Sequence, residues 1–403
     1  MISEEQLKEK VLKQLDLSRE VEDDELQDLI LRVLEEEGES DYIPLEEKAK
    51  IGRVLFHAFR KLDLLQELVE DDDITEIMIN GTDNIFVEKQ GRLILTDRHF
   101  MSRDKLEDVI QQIVAGTNRL VNEASPIVDT RLSDGSRVNV VLYPIALNGP
   151  VVTIRKFPKE QITMQKLIEL GALNEEVATV LQKLVVSGYN IFISGGTGSG
   201  KTTMLNALSQ FIPKDERIIT IEDNAELQIM DVPNIVRLEA RNANVEGIGE
   251  ITIRDLIRSA LRMRPSRIIV GECRGAEAID MLQAMSTGHK GSLSTGHSDS
   301  PRDMLRRLET MTLMGMDIPL PAIQRQIASA IDIIIHIGRL WDKSRKLLEV
   351  VEVLDYNGEE IDTRVLYKYQ ETDRRGDRSI GDWKKVETIE RTEKLLSTGY
   401  TSL

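Results

Sequence analysis

One unbroken run, Gly195, Gly196, Thr197, Gly198, Ser199, Gly200, Lys201, Thr202 and Thr203, has residue types and spacing suited to holding a polyphosphate. Gly195, Gly200, Lys201 and Thr202 satisfy the pattern G-x-x-x-x-G-K-[ST]. Glycines let backbone N–H groups curl around phosphate oxygens without a Cβ in the way, and a helix N-terminus adds partial positive charge. Lys201 then reaches the terminal phosphates and the Thr202 hydroxyl is placed to ligate Mg²⁺. The run implies a bound nucleoside triphosphate.

Three downstream segments extend that chemistry. Residues 217–223, RIITIED, read as a buried strand ending in Glu222 and Asp223, two acids able to hold Mg²⁺ or its water shell; an N-cap role for Asp223 is the alternative. Residues 267–272, RIIVGE, read as an apolar strand in which Gly271 stands where a metal-ligating Asp is usual. Glu272 is therefore the candidate for polarising the attacking water. Residues 287–297, TGHKGSLSTGH, carry two of the five histidines. His289 and His297 lack the spacing and the third partner of a zinc site, so a role beside the phosphates is expected, more for His297 than for His289.

These residues need elements to place them. The approach from Asn190 to Ser194 reads as a strand and Thr202 to Leu208 as a helix start, the context the glycine run requires. Further strands are expected at 217–221, 235–238, 267–270, 292–295 and 333–337, with helices between them, giving a mostly parallel sheet. A β-rich piece at 347–366 follows. Upstream, apolar stripes through Leu7, Val11 and Leu15, through Leu26, Ile30 and Leu34, and through Ile51 to Leu65 suggest an acidic three-helix bundle over residues 1–72, its first helix opened by a Ser3–Gln6 capping box. The charge run 20–28 reads as a solvated face of that bundle, with docking of a basic partner as the alternative. Period-two alternation from Ile74, with a turn at Gln90-Gly91, marks an α+β domain over 73–156. Residues 157–163 form a linker, 164–370 the α/β domain, and 371–403 a tail with no assignment.

Composition removes several classes. The net charge of −17 and 4% aromatic content argue against stable nucleic-acid binding, which needs clustered cations and stacking surfaces. No apolar run is long enough to span a bilayer, and MISEEQLKEK lacks an export signal core. A single cysteine, Cys273, fits a reducing cytosol.

The succession SGGTGSGKTT, IITIEDNAEL, RIIVGECRGAEA and TGHKGSLSTGHSDSP resembles the Walker A, aspartate, Walker B and histidine boxes of the secretion ATPase superfamily that serves type II and type IV secretion and type IV pili. The stretches ITEIMINGTDNIFVEKQGRL and SPIVDTRLSDGSRVNVV make the CpaF-type ATPase of tight-adherence (Tad) pili the nearest branch. Ser-Asp-Ser after His297 departs from the more usual Ala-Asn-Ser. The resemblance implies a RecA-like P-loop domain, ATP hydrolysis with Mg²⁺, a homo-hexameric ring, and arginines of the preceding domain, here Arg131, Arg137 and Arg155, that approach the phosphates. It also implies a cytoplasmic protein that meets the inner membrane through a pilus or secretion platform. Two rivals stay open on the residues alone: a nucleic-acid translocase on the same core, and a slow nucleotide-gated scaffold.

Overall fold

The computed structural model describes residues 4–15, 21–38, 44–60, 62–89, 91–116, 119–157, 162–230, 232–241, 249–376 and 378–403. The chain divides into two compact units, Met1–Lys159 and Glu160–Leu403.

In the first unit, α1 (Glu4–Gln14), α2 (Asp23–Gly38) and α3 (Leu45–Arg60) enclose a small cluster of Leu7, Val11, Leu26, Ile30, Val33, Leu34 and Leu55. The third apolar stripe does not run on to Leu65 as one helix. Asp63 adopts a left-handed φ of 50° and the chain restarts as α4 (Leu65–Glu70), whose Leu65, Leu68 and Val69 enter a different core. Ser3 lies outside the described residues.

The second core of this unit is an antiparallel sheet with one helix. Its elements are β1 (Ile74–Asn80), β2 (Asn84–Lys89), β3 (Arg92–Leu95), α5 (Arg103–Ala115), β4 (Ile127–Arg131), β5 (Arg137–Val141) and β6 (Val151–Arg155), with strand order β3-β2-β1-β6-β5-β4. Strand alternation aims Ile77, Ile79, Val87, Val138, Val140, Val152 and Ile154 into one apolar cluster with Leu106, Ile110 and Ile113 of α5. Ser102 caps α5, its hydroxyl accepting from the Lys105 N–H at 3.2 Å. Strand β4 escapes the sequence reading because Ile127, Asp129 and Arg131 all face outward, leaving only Val128 and Thr130 as an inward signal.

The second unit runs α6 (Met164–Glu169), α7 (Glu175–Val186), β7 (Ile191–Gly195), α8 (Lys201–Ser209), β8 (Ile218–Glu222), β9 (Ile235–Glu239), α9 (Ile253–Ala260), β10 (Arg267–Val270), α10 (Glu277–Ser286), β11 (Leu293–Gly296), α11 (Pro301–Gly315), α12 (Leu320–Ala330), β12 (Ile333–Arg339), β13 (Arg345–Tyr356), β14 (Ile361–Arg375), β15 (Arg378–Lys385) and α13 (Glu393–Ser397). These strands form one sheet in the order β15-β14-β13-β12-β7-β11-β10-β8-β9. The six from β12 to β9 are parallel, and β13–β15 extend β12 in antiparallel fashion. Residues on successive positions of β7 feed two cores, Ile191 and Ile193 one, Phe192 the other. Burial on both faces is why β7, β8, β10 and β12 read as nearly unbroken apolar runs.

The segment left without assignment, 371–403, is built into this unit. Trp383 of β15 is buried and its indole N–H donates to Leu347 O at 2.7 Å. Ile389 and Leu395 join the core, and the buried Glu352 carboxylate accepts from the N–H groups of Glu390 and Arg391.

Candidate functional site

Strand β7 is the middle strand of the nine-stranded sheet, and the chain leaves its carboxyl end as the glycine loop that opens α8. That edge is where open α/β sheets bind ligands. At Gly195 a Cβ would lie 2.3 Å from Ile337 O and 2.7 Å from Ser199 Oγ, so only glycine fits the close approach of β12. Gly200 precedes α8 with φ 99°, a conformation that costs glycine little. The Ser199 hydroxyl donates to Gly196 O at 2.8 Å, while Thr197 stays exposed and Thr202 and Thr203 are half-buried at the helix start.

Lys201 is buried and folds back under the loop. Its ammonium donates to Gly195 O at 3.1 Å and Gly196 O at 3.0 Å, and lies 3.1 Å from His297 Nδ1. An ammonium has no acceptor, so Nδ1 accepts and the neutral imidazole carries its proton on Nε2. That nitrogen lies 2.8 Å from Glu272 Oε1, within ion-pair distance but not aligned as a hydrogen bond, and this buried oxygen has no hydrogen-bond partner among the described residues. Burial holds the His297 pKa below its ordinary value; Glu272 opposes this, while Lys201, Arg274 and Arg307 add to it. The other Glu272 oxygen meets the Arg274 guanidinium at 2.6 Å, and Arg274 also reaches toward Asp223 at 3.8 Å. The result is one chain of charged and polar groups, Lys201–His297–Glu272–Arg274–Asp223, drawn from four strand ends. Two bonds align those ends: Thr295 Oγ1 donates to Gly271 O at 2.7 Å, and the Cys273 N–H donates to Thr295 O at 2.9 Å.

Glu222 also lies at this edge, but its carboxylate faces the backbone. Oε2 accepts from the N–H groups of Glu226 at 2.7 Å and Leu227 at 2.9 Å. Burial pushes its pKa up to about 7, against the pull of those two amides. Gly271 is now explained: a Cβ there would stand 2.9 Å from Glu222 Cγ. The Glu222 side chain fills the space that an aspartate at 271 would need.

Two sequence expectations resolve differently. His289 precedes β11 and so belongs to the opposite, amino edge of the sheet, where its Nδ1 lies 3.2 Å from Ala284 O at the end of α10. This corrects its expected place beside the phosphates: the length of β11 separates the two Thr-Gly-His sequences. The arginines of the first unit, by contrast, are brought together. Register pairs Arg131 with Arg137, Arg137 with Arg155, and Arg155 with Glu76, in one row across four strands. Their inward neighbours Thr130, Val138, Ile154 and Ile77 are buried, so the row lies on the face away from the core. Adjacent like charges repel, so such a row suits a shared anion. Burial raises the pKa of Glu76, with Arg155 pulling it down and Glu88 raising it further.

Four residues near the loop had no sequence assignment. The Thr202 hydroxyl faces Glu226 Oε2 at 3.5 Å, and Glu226 is the next acid after Asp223 in the run EDNAE. Arg274 follows Glu272 by two positions. His336 Nδ1 is 2.9 Å from Ser194 Oγ beneath the loop, and Arg345 donates from Nε to Gly198 O at 2.8 Å. The last two arrive from β12 and β13, whose distance in sequence hides them.

The donor set suits a triphosphate with Mg²⁺. Thr202, Asp223 and Glu226 offer only oxygen, the preference of a hard cation. Among the described residues no group of three or more His, Cys, Asp or Glu side chains is gathered for a metal.

A glycine loop at a helix start, with acids and a neutral histidine delivered by neighbouring parallel strands, defines a RecA-like P-loop nucleoside triphosphatase. The family model described as "Type II/IV secretion system protein" matches residues 60–392, and the chain belongs to that family. It is similar to a putative conjugal transfer protein of Mycobacterium tuberculosis, with 33% identity over 76% of this chain and 88% of the relative. It is also similar to the type IV secretion system protein VirB11 of Brucella suis, with 32% identity over 74% of this chain and 90% of the relative. Among solved structures, the Legionella pneumophila ATPase DotB matches at 25% identity with a TM-score of 0.51, over 70% of this chain and 77% of that one. The chain is thus an ATP-hydrolysing enzyme of the type II/IV secretion class. Among the described residues no helix is long and apolar enough to cross a membrane.

Proposed function

We propose that this ATPase is a cytoplasmic, Mg²⁺-dependent, homo-hexameric motor acting on a membrane-embedded pilus or secretion platform, in the Tad-pilus branch of its family. The observation that carries the mechanism is the chain Lys201–His297–Glu272, in which a neutral histidine joins the phosphate-binding lysine to the candidate general base. Lys201 and the amides of residues 196–202 bind phosphate. Glu272 accepts the proton of the attacking water on its unbonded Oε1, and His297, 2.8 Å away, links that carboxylate to Lys201 and the terminal phosphate. Bound Mg²⁺ supplies charge neutralisation across the phosphates, with Thr202, Asp223 and Glu226 as the residues to hold it or its water shell. Glu222 acts in this scheme by fixing the 223–227 loop that presents those acids. On the family resemblance, Arg131 and Arg137 are the arginines to neutralise charge developing in the transition state, and Arg155 a further contact to nucleotide.

The Tad assignment is supported by the two upstream stretches quoted above; relatives named for conjugal transfer and for type IV secretion make a secretion platform the rival partner. The net charge of −17 speaks against nucleic acid as the direct substrate. The test is phosphate release with Mg²⁺ and with EDTA, with and without DNA, alongside solution mass in a non-hydrolysable ATP analogue. Mg²⁺-dependent turnover, indifferent to DNA, by a six-subunit particle is expected. A persistent monomer overturns the ring, DNA stimulation revives the translocase, and binding without steady-state turnover leaves only a scaffold.

A further inference from the structure

The hairpin between β12 and β13 has no role in the hydrolysis scheme, yet it touches both halves of the phosphate loop. Ile337 O packs on Gly195, where it leaves no room for a Cβ. Arg345, the first residue of β13, donates from Nε to Gly198 O at 2.8 Å, and its Cδ lies 3.6 Å from where a Cβ of Gly200 would stand. One side chain therefore spans the crest of the loop from Gly198 to Gly200.

The peptide after Gly198 is planar and trans, so its C=O and the Ser199 N–H point in opposite directions. Holding Gly198 O on the guanidinium fixes the opposite direction of the Ser199 N–H, which in the empty loop donates to Gly196 O at 3.3 Å, the weak end of the hydrogen-bond range. Gly196 O already accepts from the Ser199 hydroxyl and Lys201, so a phosphate oxygen, the stronger acceptor, can take the Ser199 amide over at small cost. Loop carbonyls are acceptors and repel phosphate, so the same bond also withdraws one of them from the ligand.

Arg345 is itself held in place. The turn closes with Leu340 N–H to Ser344 O at 2.8 Å, and Lys343 takes a left-handed φ of 66°. The Asp342 carboxylate accepts from the Ser344 N–H at 2.9 Å and hydroxyl at 2.6 Å, and from the Ser379 N–H of β15 at 2.9 Å. The turn is thus stapled to the outermost strand of the antiparallel extension.

We propose that Arg345 is a positioning residue for the triphosphate: from a hairpin fixed by Asp342, it sets the direction of the Ser199 amide and so the affinity of the loop for nucleotide. The inference rests on the phosphate-loop reading of residues 195–202 and adds to it a part of the chain with no phosphate motif.

The experiment compares Arg345→Met, which keeps the stem over Gly200 and loses the donor, with Arg345→Lys, which keeps one donor. Readouts are the Kd of a fluorescent ADP analogue, the ATP KM and kcat, and Tm. Loss of a charge-assisted bond predicts a Kd and KM about ten-fold higher in Arg345→Met with kcat within about two-fold, and Arg345→Lys within about three-fold of wild type. Wild-type Kd in Arg345→Met overturns the proposal. So does an Arg345→Lys variant as weak as Arg345→Met at unchanged Tm, which would make the guanidinium fork a direct nucleotide contact. A wild-type protein that fails to bind the analogue refutes the phosphate-loop reading instead, a separate result.

Discussion

The two ends of the parallel sheet in the second unit use the same side-chain types to opposite effect. At the amino edge polar groups are bonded mainly to backbone. Asn190 gives its N–H to Asp332, its amide nitrogen to Met285 O and Ala330 O, and accepts from the N–H groups of Gly291 and Ser292. Arg267, 2% exposed, is bonded to Glu216, Val185 O and Gly291 O. At the carboxyl edge Glu272 and His297 meet side chains instead, Glu272 through Arg274 and His297 through Lys201, with His297 Nε2 2.8 Å from Glu272 Oε1, and Arg274 is largely solvent-exposed. A group anchored to several fixed carbonyls holds the fold together. A group paired with another mobile side chain can exchange that partner for a phosphate or a water at small cost.

That contrast is sharpest in what substitution should damage. Arg267→Met leaves Glu216 and two carbonyls without their donor, and a loss of about 3 kcal/mol or more in stability is expected, seen as a lower Tm or insoluble protein. Turnover per folded molecule should stay near wild type, because Arg267 is at the far edge. Glu272→Gln should do the reverse: kcat falls roughly 100-fold or more while Tm and ADP affinity stay close to wild type. Near-normal turnover in Glu272→Gln removes it as the base and breaks the division between the two edges.

Glu222 tests the contrast from inside the site, since it is at the carboxyl edge but is bonded to backbone. Its pKa, pushed up to about 7 by burial, is above the unfolded value of 4.5. The folded state therefore holds the proton more tightly than the unfolded one. The resulting stability is complete in acid and is lost as pH rises through about 7. Glu222→Gln keeps an acceptor for the Glu226 and Leu227 amides and never ionises. Its stability should exceed that of wild type by an amount that grows from pH 5 to 8, on the order of 1–3 kcal/mol. Parallel pH curves would show that the carboxylate ionises in place without cost.

What the sequence made legible follows from the same division. The parallel strands and the glycine loop were readable because burial on both faces and the phosphate loop each impose local patterns on the chain. Glu272 stood out because it lies two residues past β10, and Lys201 because it belongs to the glycine-loop pattern itself. Arg345, His336 and the strand β15 did not, because they reach the core or the loop only through pairing across β12–β15, and β15 alternates charged residues with few apolar ones. Helix α4 was missed for a related reason: its apolar residues continue the stripe of α3 in sequence, and only the turn at Asp63 sends them to another core. Glu222 was readable as an acid at a strand end, but the direction of its carboxylate depends on amides four and five residues further on.

The two Thr-Gly-His sequences give the finest form of the comparison, since local sequence is nearly constant and only the edge differs. His297 touches Lys201 and Glu272, whereas His289 touches the carbonyl of Ala284. Asparagine mimics one imidazole nitrogen without titrating, so His297→Asn should lower kcat about ten-fold and flatten the acid limb of the pH–rate profile. That limb should lie below the ordinary histidine range, because burial and the nearby Lys201, Arg274 and Arg307 all disfavour the imidazolium. Protonation would also oblige Nδ1 to give up the Lys201 ammonium, so the Lys201–His297 contact exists only on the neutral side of that limb. His289→Asn should leave kcat and its pH profile within about two-fold of wild type, because its ring nitrogen bonds the end of α10 at the other edge. Equal losses in the two variants would mean that the edges are coupled through β11, and that the amino edge is part of the machine rather than its frame.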